Sequence, residues 1–160
     1  MIKVLFVCHG NICRSPMAEY VMKDLVKKHG LESQFYIDSA ATSTEEIGNG
    51  VHHGTRSKLR EMGIPCGDHR ARQLRRSDYD QYDCLLGMDG WNMRNMRRIL
   101  GDDPDGKLHL LLEYGERCRD IADPWYTGNF DETYRDVVEG CQGLLRHLLR
   151  EHPELGGGKK

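Results

Sequence analysis

No run of apolar residues in this chain approaches the ~18 that a membrane-spanning helix needs. The N-terminal MIKVLFVCHGN carries only a short apolar stretch, without the length or the small-residue cleavage pattern of a secretory signal. A large excess of charge is missing too. The 23 basic and 25 acidic residues give a formal net charge of −2, which offers no footing for a nucleic-acid or membrane-surface partner. Cys8, Cys13, Cys66, Cys84, Cys118 and Cys141 include no pair with the CxxC spacing of a zinc site or a thioredoxin-type motif. A chain of 160 residues can bury a core without disulfide staples. Internal repeats are absent. The expectation is a single cytoplasmic domain over residues 1–155, followed by a flexible tail at 156–160.

What is present reads as alternating strands and helices. IKVLFV (2–7) is almost continuously apolar, as expected of a strand buried on both faces. A polar loop at 8–15 follows, then a helix with Pro16 in its first turn, an apolar stripe through Val26, and Gly30 as its stop. FYIDSA (35–40), YDCLLGM (82–88) and LHLLL (108–112) are further strands, and residues 66–80 read as a short strand edge with a turn. Thr55 or a neighbour is expected to cap a helix reaching Met62, and Asp89 to cap another. Asn129 and Glu132 make a capping-box pattern before a long apolar stripe from Tyr134 to Leu149. Cys84 and Cys141 read as buried small hydrophobes. The pattern predicts an α/β fold with a mostly parallel sheet covered on both faces and ligands at the carboxyl ends of its strands.

The loop C8-H9-G10-N11-I12-C13-R14-S15 leaves such an end. A chain curling tightly before a helix N-terminus turns its N–H groups inward and forms an anion cradle. Gly10 permits close approach, Asn11 tolerates the left-handed region, and Arg14 offers a fork for two phosphate oxygens. Cys8, set among these donors with Ser15 near, is expected to lose its proton readily and to attack a bound phosphorus, giving a cysteinyl-phosphate. The leaving alcohol then needs a general acid. The long connection from Glu113 to Gly128 contains DIADPWY. Asp123 is the choice there, stiffened by Pro124 and followed by Trp125 and Tyr126, which can flank an aromatic leaving group. Asp120 competes but lacks those neighbours. This chemistry requires no metal or cofactor.

The Cys-x5-Arg-Ser pattern inside VLFVCHGNICRSPMAE, with DSAATS, HRARQL, YDCLLGMD and DPWY, resembles the low-molecular-weight protein tyrosine phosphatases over nearly the whole chain. The resemblance implies a four-stranded parallel twisted sheet flanked by helices, with the phosphatase loop between the first strand and the first helix. It implies hydrolysis of phosphotyrosine, with Cys8 as nucleophile, Arg14 as phosphate-binding arginine and Asp123 as general acid. His9, Gly10, Asn11, Ile12, Cys13, Ser15, Trp125 and Tyr126 become substrate-binding residues. Asn11, Ser15, Ser39 and His69 match a network that holds the loop in shape. Cys13 matches a second cysteine able to form a reversible disulfide with Cys8. The implied partners are a phosphotyrosine-containing protein, inorganic phosphate as product, and a bacterial-type tyrosine kinase.

Three departures stand out. STEEIGNG carries Glu45 and Glu46 where family members often have an aromatic residue, so one wall of the cleft is missing or supplied by another residue. GNGVHHGTR is longer than the corresponding animal segment and lacks its aspartate. His9 occupies a position at the rim that is often apolar. Rival readings are an arginine-phosphate phosphatase, an arsenate reductase and a phosphate-binding scaffold. Ile12 stands where relatives cleaving phosphoarginine carry a small hydroxyl residue. Cys66 and Cys84 are poorly placed for a disulfide relay, and intact Cys8, Arg14 and Asp123 speak against a scaffold.

Overall fold

The computed structural model describes residues 1–156. Four parallel strands form one sheet in the order β2-β1-β3-β4: β1 (Ile2–Cys8), β2 (Phe35–Ala41), β3 (Cys84–Gly87) and β4 (Leu108–Leu110). The helices are α1 (Arg14–Lys28), α2 (His53–Glu61), α3 (Asp78–Gln81), α4 (Gly90–Leu100), α5 (Pro124–Thr127), α6 (Phe130–Glu151) and α7 (Pro153–Gly156). Short 3₁₀ turns at Glu32–Gln34 and Leu111–Tyr114 complete the path. The predicted α/β architecture is the one observed. Among the described residues no helix is long and apolar enough to cross a membrane.

β1 organises two cores because its side chains alternate. Val4, Phe6 and Cys8 join the side chains of α1 and α6 on one face. Leu5 and Val7 join Leu74, Tyr79, Leu85, Met96 and Leu108 on the other. The chain departs from β1 toward β2 on one side and β3 on the other. Loops leaving β1 and β3 therefore diverge at their carboxyl ends and open a crevice there.

Several boundaries differ from the sequence reading. β1 runs on through Cys8, which pairs with Ala41, so the loop proper starts at His9. β3 is shorter than expected, and β4 ends at Leu110 because Leu111 already turns into the 3₁₀ segment. Residues 66–80 form no strand edge beyond isolated bridges at Arg70 and Gln73. Three of their amides go to side chains, His69 N–H to the Tyr20 hydroxyl, Arg72 N–H to Asn11 and Arg75 N–H to Asp78, while Ala71 and Leu74 donate to the Asn49 and Ala41 carbonyls. His52, not Thr55, caps α2 by accepting from the Gly54 amide (3.0 Å). Thr55 Oγ1 donates to the Cys13 carbonyl (3.2 Å), tying α2 to the loop. Asn129 accepts from the Glu132 amide, which is half of the expected box. Of the expected tail, Gly156 closes α7 and residues 157–160 lie outside the described residues.

The segment leading to Asp123 is positioned from beneath by a glycine contact. α6 presents Gly140 and Gly143 to Leu111–Tyr114, close enough that a Cβ on Gly143 would overlap the Tyr114 carbonyl. Backbone cannot swing aside as a flexible side chain can. Gly143→Ala is therefore expected to destabilise the protein by about 1–3 kcal/mol. Urea unfolding measures this, and an unchanged midpoint would refute the close contact.

Candidate active site

Asn11 is the only non-glycine residue with positive φ (59°) among the described residues, so the predicted left-handed position is occupied by one of the few types that tolerate it. The kink brings the Asn11 amide to 3.3 Å and the Ser15 amide to 3.4 Å from Cys8 Sγ, with Ser15 Oγ at 3.0 Å. The direction of each side-chain bond can be worked out from a fixed backbone donor. Arg72 N–H reaches Asn11 Oδ1 (3.2 Å), so that atom is the oxygen and Nδ2 is the donor to Ser15 Oγ (2.8 Å). Ser15 is left free to turn its hydrogen toward the sulfur. His69 Nε2 sits 2.7 Å from the same Asn11 oxygen and must donate to it. Ser39 Oγ, 3.2 Å from that nitrogen, donates its own hydrogen to Glu19 Oε1 (2.6 Å). Three donors aimed at one sulfur are the contacts a thiolate accepts.

The rest of the loop offers unspent donors. Among the described residues, the amides of Gly10, Ile12, Cys13 and Arg14 have no acceptor within the protein. They lie at the N-terminus of α1, where partial positive charge adds to them. The loop is braced from behind by Ser43 N–H on the His9 carbonyl and His52 N–H on the Ile12 carbonyl.

Arg14 is buried, and its guanidinium spans the crevice. It donates to Asp89 Oδ2 (2.7 Å) and the Ile121 carbonyl (2.9 Å), with Asp123 Oδ2 at 3.4 Å. Burial works against its charge, but Cys8, then Asp89 and Asp123, outweigh that and hold its proton more tightly than usual. Asp123 caps α5, its Oδ1 accepting from the Trp125 amide (3.0 Å). Asp120 accepts from the Gly90 amide (3.2 Å) and stays out of the cleft. The Cys13 thiol is pushed up to about 12, first by burial and then by Cys8 and Asp123, so at neutral pH it is protonated.

Cys8, His9, Gly10, Ile12, Cys13, Arg14, Asp123, Trp125 and Tyr126 all line one cleft, joined by Glu45 and Glu46. Asn11, Ser15, Ser39 and His69 are gathered beside it, beneath the loop, and the side chains of Asn11 and Ser15 do not reach the cleft surface. Trp125 and Tyr126 are exposed, and the His52 ring meets Trp125 edge-on at 5.6 Å.

Two supports carry no local sign in the residues around them. Glu19 is buried on α1, where MAEY looks like a solvent-facing turn, and Asp89 couples its predicted capping role to Arg14. A lone acidic residue about one turn past the loop is legible only once β2 brings Ser39 against it. Glu19, Asp38 and His69 place three ligand-type atoms within 4.8 Å of one another, but Lys23 on Glu19 (2.7 Å) and Arg72 on Asp38 (3.4 Å) already supply their countercharges.

Fold and site together define an α/β protein with a cysteine-centred loop at the carboxyl edge of its sheet. The chain belongs to the low molecular weight phosphotyrosine protein phosphatase family, whose model matches residues 3–154. It is 42% identical over 153 residues to the low molecular weight protein-tyrosine-phosphatase YfkJ of Bacillus subtilis, covering 94% of this chain and 98% of that protein. The crystal structure of YfkJ superposes with a TM-score of 0.92 over 95% of this chain and 97% of its own. A Drosophila arginine phosphatase, DARP, superposes with a TM-score of 0.83 at 32% identity, covering 92% of this chain and 98% of that one.

The Asn11 side chain and its backbone make separable contributions. Asn11→Gly and Asn11→Ala both lose the bonds to Ser15, His69 and Arg72, but only alanine is strained at this φ. Asn11→Ala should be the less stable of the two by about 1–2 kcal/mol in chemical denaturation. Equal stabilities would contradict the left-handed assignment.

Proposed function

We propose that this protein hydrolyses phosphotyrosine through a cysteinyl-phosphate intermediate, with Cys8 as nucleophile, Arg14 as phosphate clamp and Asp123 as proton donor and acceptor. The observation that carries this reading is Cys8 Sγ held by three donors at the base of a cleft that Arg14 and Asp123 share. The phosphoryl group enters with its equatorial oxygens on the free loop amides and the Arg14 fork. Cys8 attacks phosphorus, the P–O bond to the aryl group breaks, and Asp123 gives that oxygen its proton. Water then attacks the same phosphorus while Asp123 takes a proton back. The S–P bond breaks, and inorganic phosphate leaves. Trp125 and Tyr126 flank the aryl ring, His9 stands at the rim, and Gly10, Ile12 and Cys13 line the cleft with the loop. Asn11, Ser15, Ser39 and His69 act through the loop's shape.

Finer expectations belong to the same reading. A working thiol suits a reducing compartment such as the cytoplasm. Cys13, in the same loop, is the partner for a reversible disulfide. Peroxide oxidises Cys8 to the sulfenic acid, and the Cys13 sulfur then displaces water, so two thiols and one peroxide give one disulfide and two waters. A bacterial-type tyrosine kinase is a candidate phosphotyrosine-bearing partner. Hydrolysis of phosphoarginine is the second reading, favoured by the likeness to the Drosophila arginine phosphatase and opposed by Ile12 in the loop.

Cys8→Ser should abolish turnover of aryl phosphates while inorganic phosphate still binds, as followed by calorimetry. Residual turnover near the parent's would remove Cys8 from its role. Asp123→Ala should slow esters with poor leaving groups by about 10²–10⁴-fold and those with good leaving groups far less. A uniform loss across the series would contradict proton donation by Asp123. A panel of phosphotyrosine, phosphoserine and phosphoarginine substrates separates the two substrate readings, and preferential cleavage of phosphoarginine would reverse their order.

A further inference from the structure

We propose that Glu45 and Glu46 make the mouth of the cleft select phosphotyrosine flanked by lysine or arginine, a preference that rests on the phosphotyrosine activity above. The cleft has an uncommon balance of charge for a site that receives a dianion. Glu45, Glu46 and Asp123 line it, while the only lysine or arginine in its lining is Arg14. Arg14 is buried and already bonded to Asp89 and Asp123, so it serves the phosphoryl group at the floor and not the peptide at the rim. Arg70, which donates to the Gly48 carbonyl (3.1 Å), is not part of the lining.

The two carboxylates are presented by a fixed turn. Glu46 accepts from the Asn49 side chain (2.7 Å), and its carbonyl accepts from the Asn49 amide (2.9 Å). Gly48 and Asn49 pair with Ala71 through backbone bonds of 2.8 Å each. Glu46 also packs against Gly10, where an added Cβ would lie 3.3 Å from its Cγ. Glu45 points the other way, to the exposed His9 ring, with Nε2 at 3.3 Å. It is 69% exposed, so a side chain arriving from solvent can reach it, and among the described residues His9 is the one partially compensating group it meets.

An acidic rim repels an incoming phosphate monoester, and acidic residues beside the phosphotyrosine add to that repulsion. A lysine or arginine there reverses the sign by pairing with Glu45. The opposite flank of the mouth differs. Beyond Tyr126 a second groove is lined by Trp91, Asn92 and Asn95 and by Asp89 and Asp123, whose carboxylates both face Arg14 (2.7 and 3.4 Å), and Arg94 lies over the Trp91 ring at 4.6 Å. The preference for a base is thereby confined to the Glu45 side.

The test compares two phosphotyrosine peptides that differ only in lysine and arginine or aspartate and glutamate at the flanking positions. Each is assayed with the wild type, Glu45→Lys and the double variant Glu45→Gln/Glu46→Gln, with thermal melting to show that each variant is folded. The wild type should favour the basic peptide by about fivefold in kcat/KM at low salt, the upper range for one exposed ion pair. That ratio should collapse toward one at about 1 M salt, where the screening length is about 3 Å. It should also fall to near one in the double variant and invert in Glu45→Lys. Equal turnover of both peptides by the wild type, or a preference that survives both variants, overturns the proposal and leaves the phosphatase activity standing. No turnover of either peptide overturns the activity and the preference together.

Discussion

Three hydrogen-bond donors meet at one sulfur, and the active-site loop has the shape it has because all three must be kept at once. The Asn11 amide reaches Cys8 Sγ only with the backbone in the left-handed region. The Ser15 amide and hydroxyl reach it only if the first turn of α1 starts directly beneath. Strain at Asn11 is offset by what its side chain does, accepting from His69 and Arg72 and donating to Ser15. The same residue therefore sets the kink and locks it. Because the sulfur uses its neighbours this way, the remaining loop amides stay free and converge on the cleft.

The fold supplies the rigidity that this arrangement needs. β1 packs into a core on each face, so Cys8 sits at the end of a strand held from both sides. Arg14 bridges the crevice to the loop after β3 through Asp89 and to the segment before α5 through Ile121 and Asp123. Three separate connections are thus joined by one guanidinium, which an entering phosphoryl group would share. Membership of the low molecular weight phosphotyrosine protein phosphatase family fits this frame, and the acidic turn at Glu45 and Glu46 lines the same cleft.

Much of this was legible in the residues. The apolar run before Cys8, the Gly-Asn pair and the Arg14-Ser15-Pro16 start of a helix specify strand, kinked loop and helix by local chemistry alone. Pro124 after Asp123 and the stripe of α6 were equally plain. What was hidden depended on pairing across the fold. Residues 66–80 look like a polar strand edge, yet the amides of His69, Arg72 and Arg75 go to the side chains of Tyr20, Asn11 and Asp78, of which only Asp78 is near its donor in sequence. The cap of α2 was expected at Thr55 or a neighbour by residue type; His52 takes it, and Thr55 turns to the Cys13 carbonyl. Glu19 and the ion pair of Asp89 with Arg14 were invisible for the same reason: a buried carboxylate declares itself only through partners brought by another strand or helix.

The most direct test is to trap the covalent intermediate. Asp123→Ala, slow to hydrolyse the thiophosphate ester, is mixed with an activated aryl phosphate, quenched in acid, digested and examined by mass spectrometry. A phosphoryl group on the peptide containing Cys8, absent when Cys8 is serine, is the predicted result. A phosphoryl group on any other residue, or rapid turnover with none trapped on Cys8, would contradict nucleophilic attack by this sulfur.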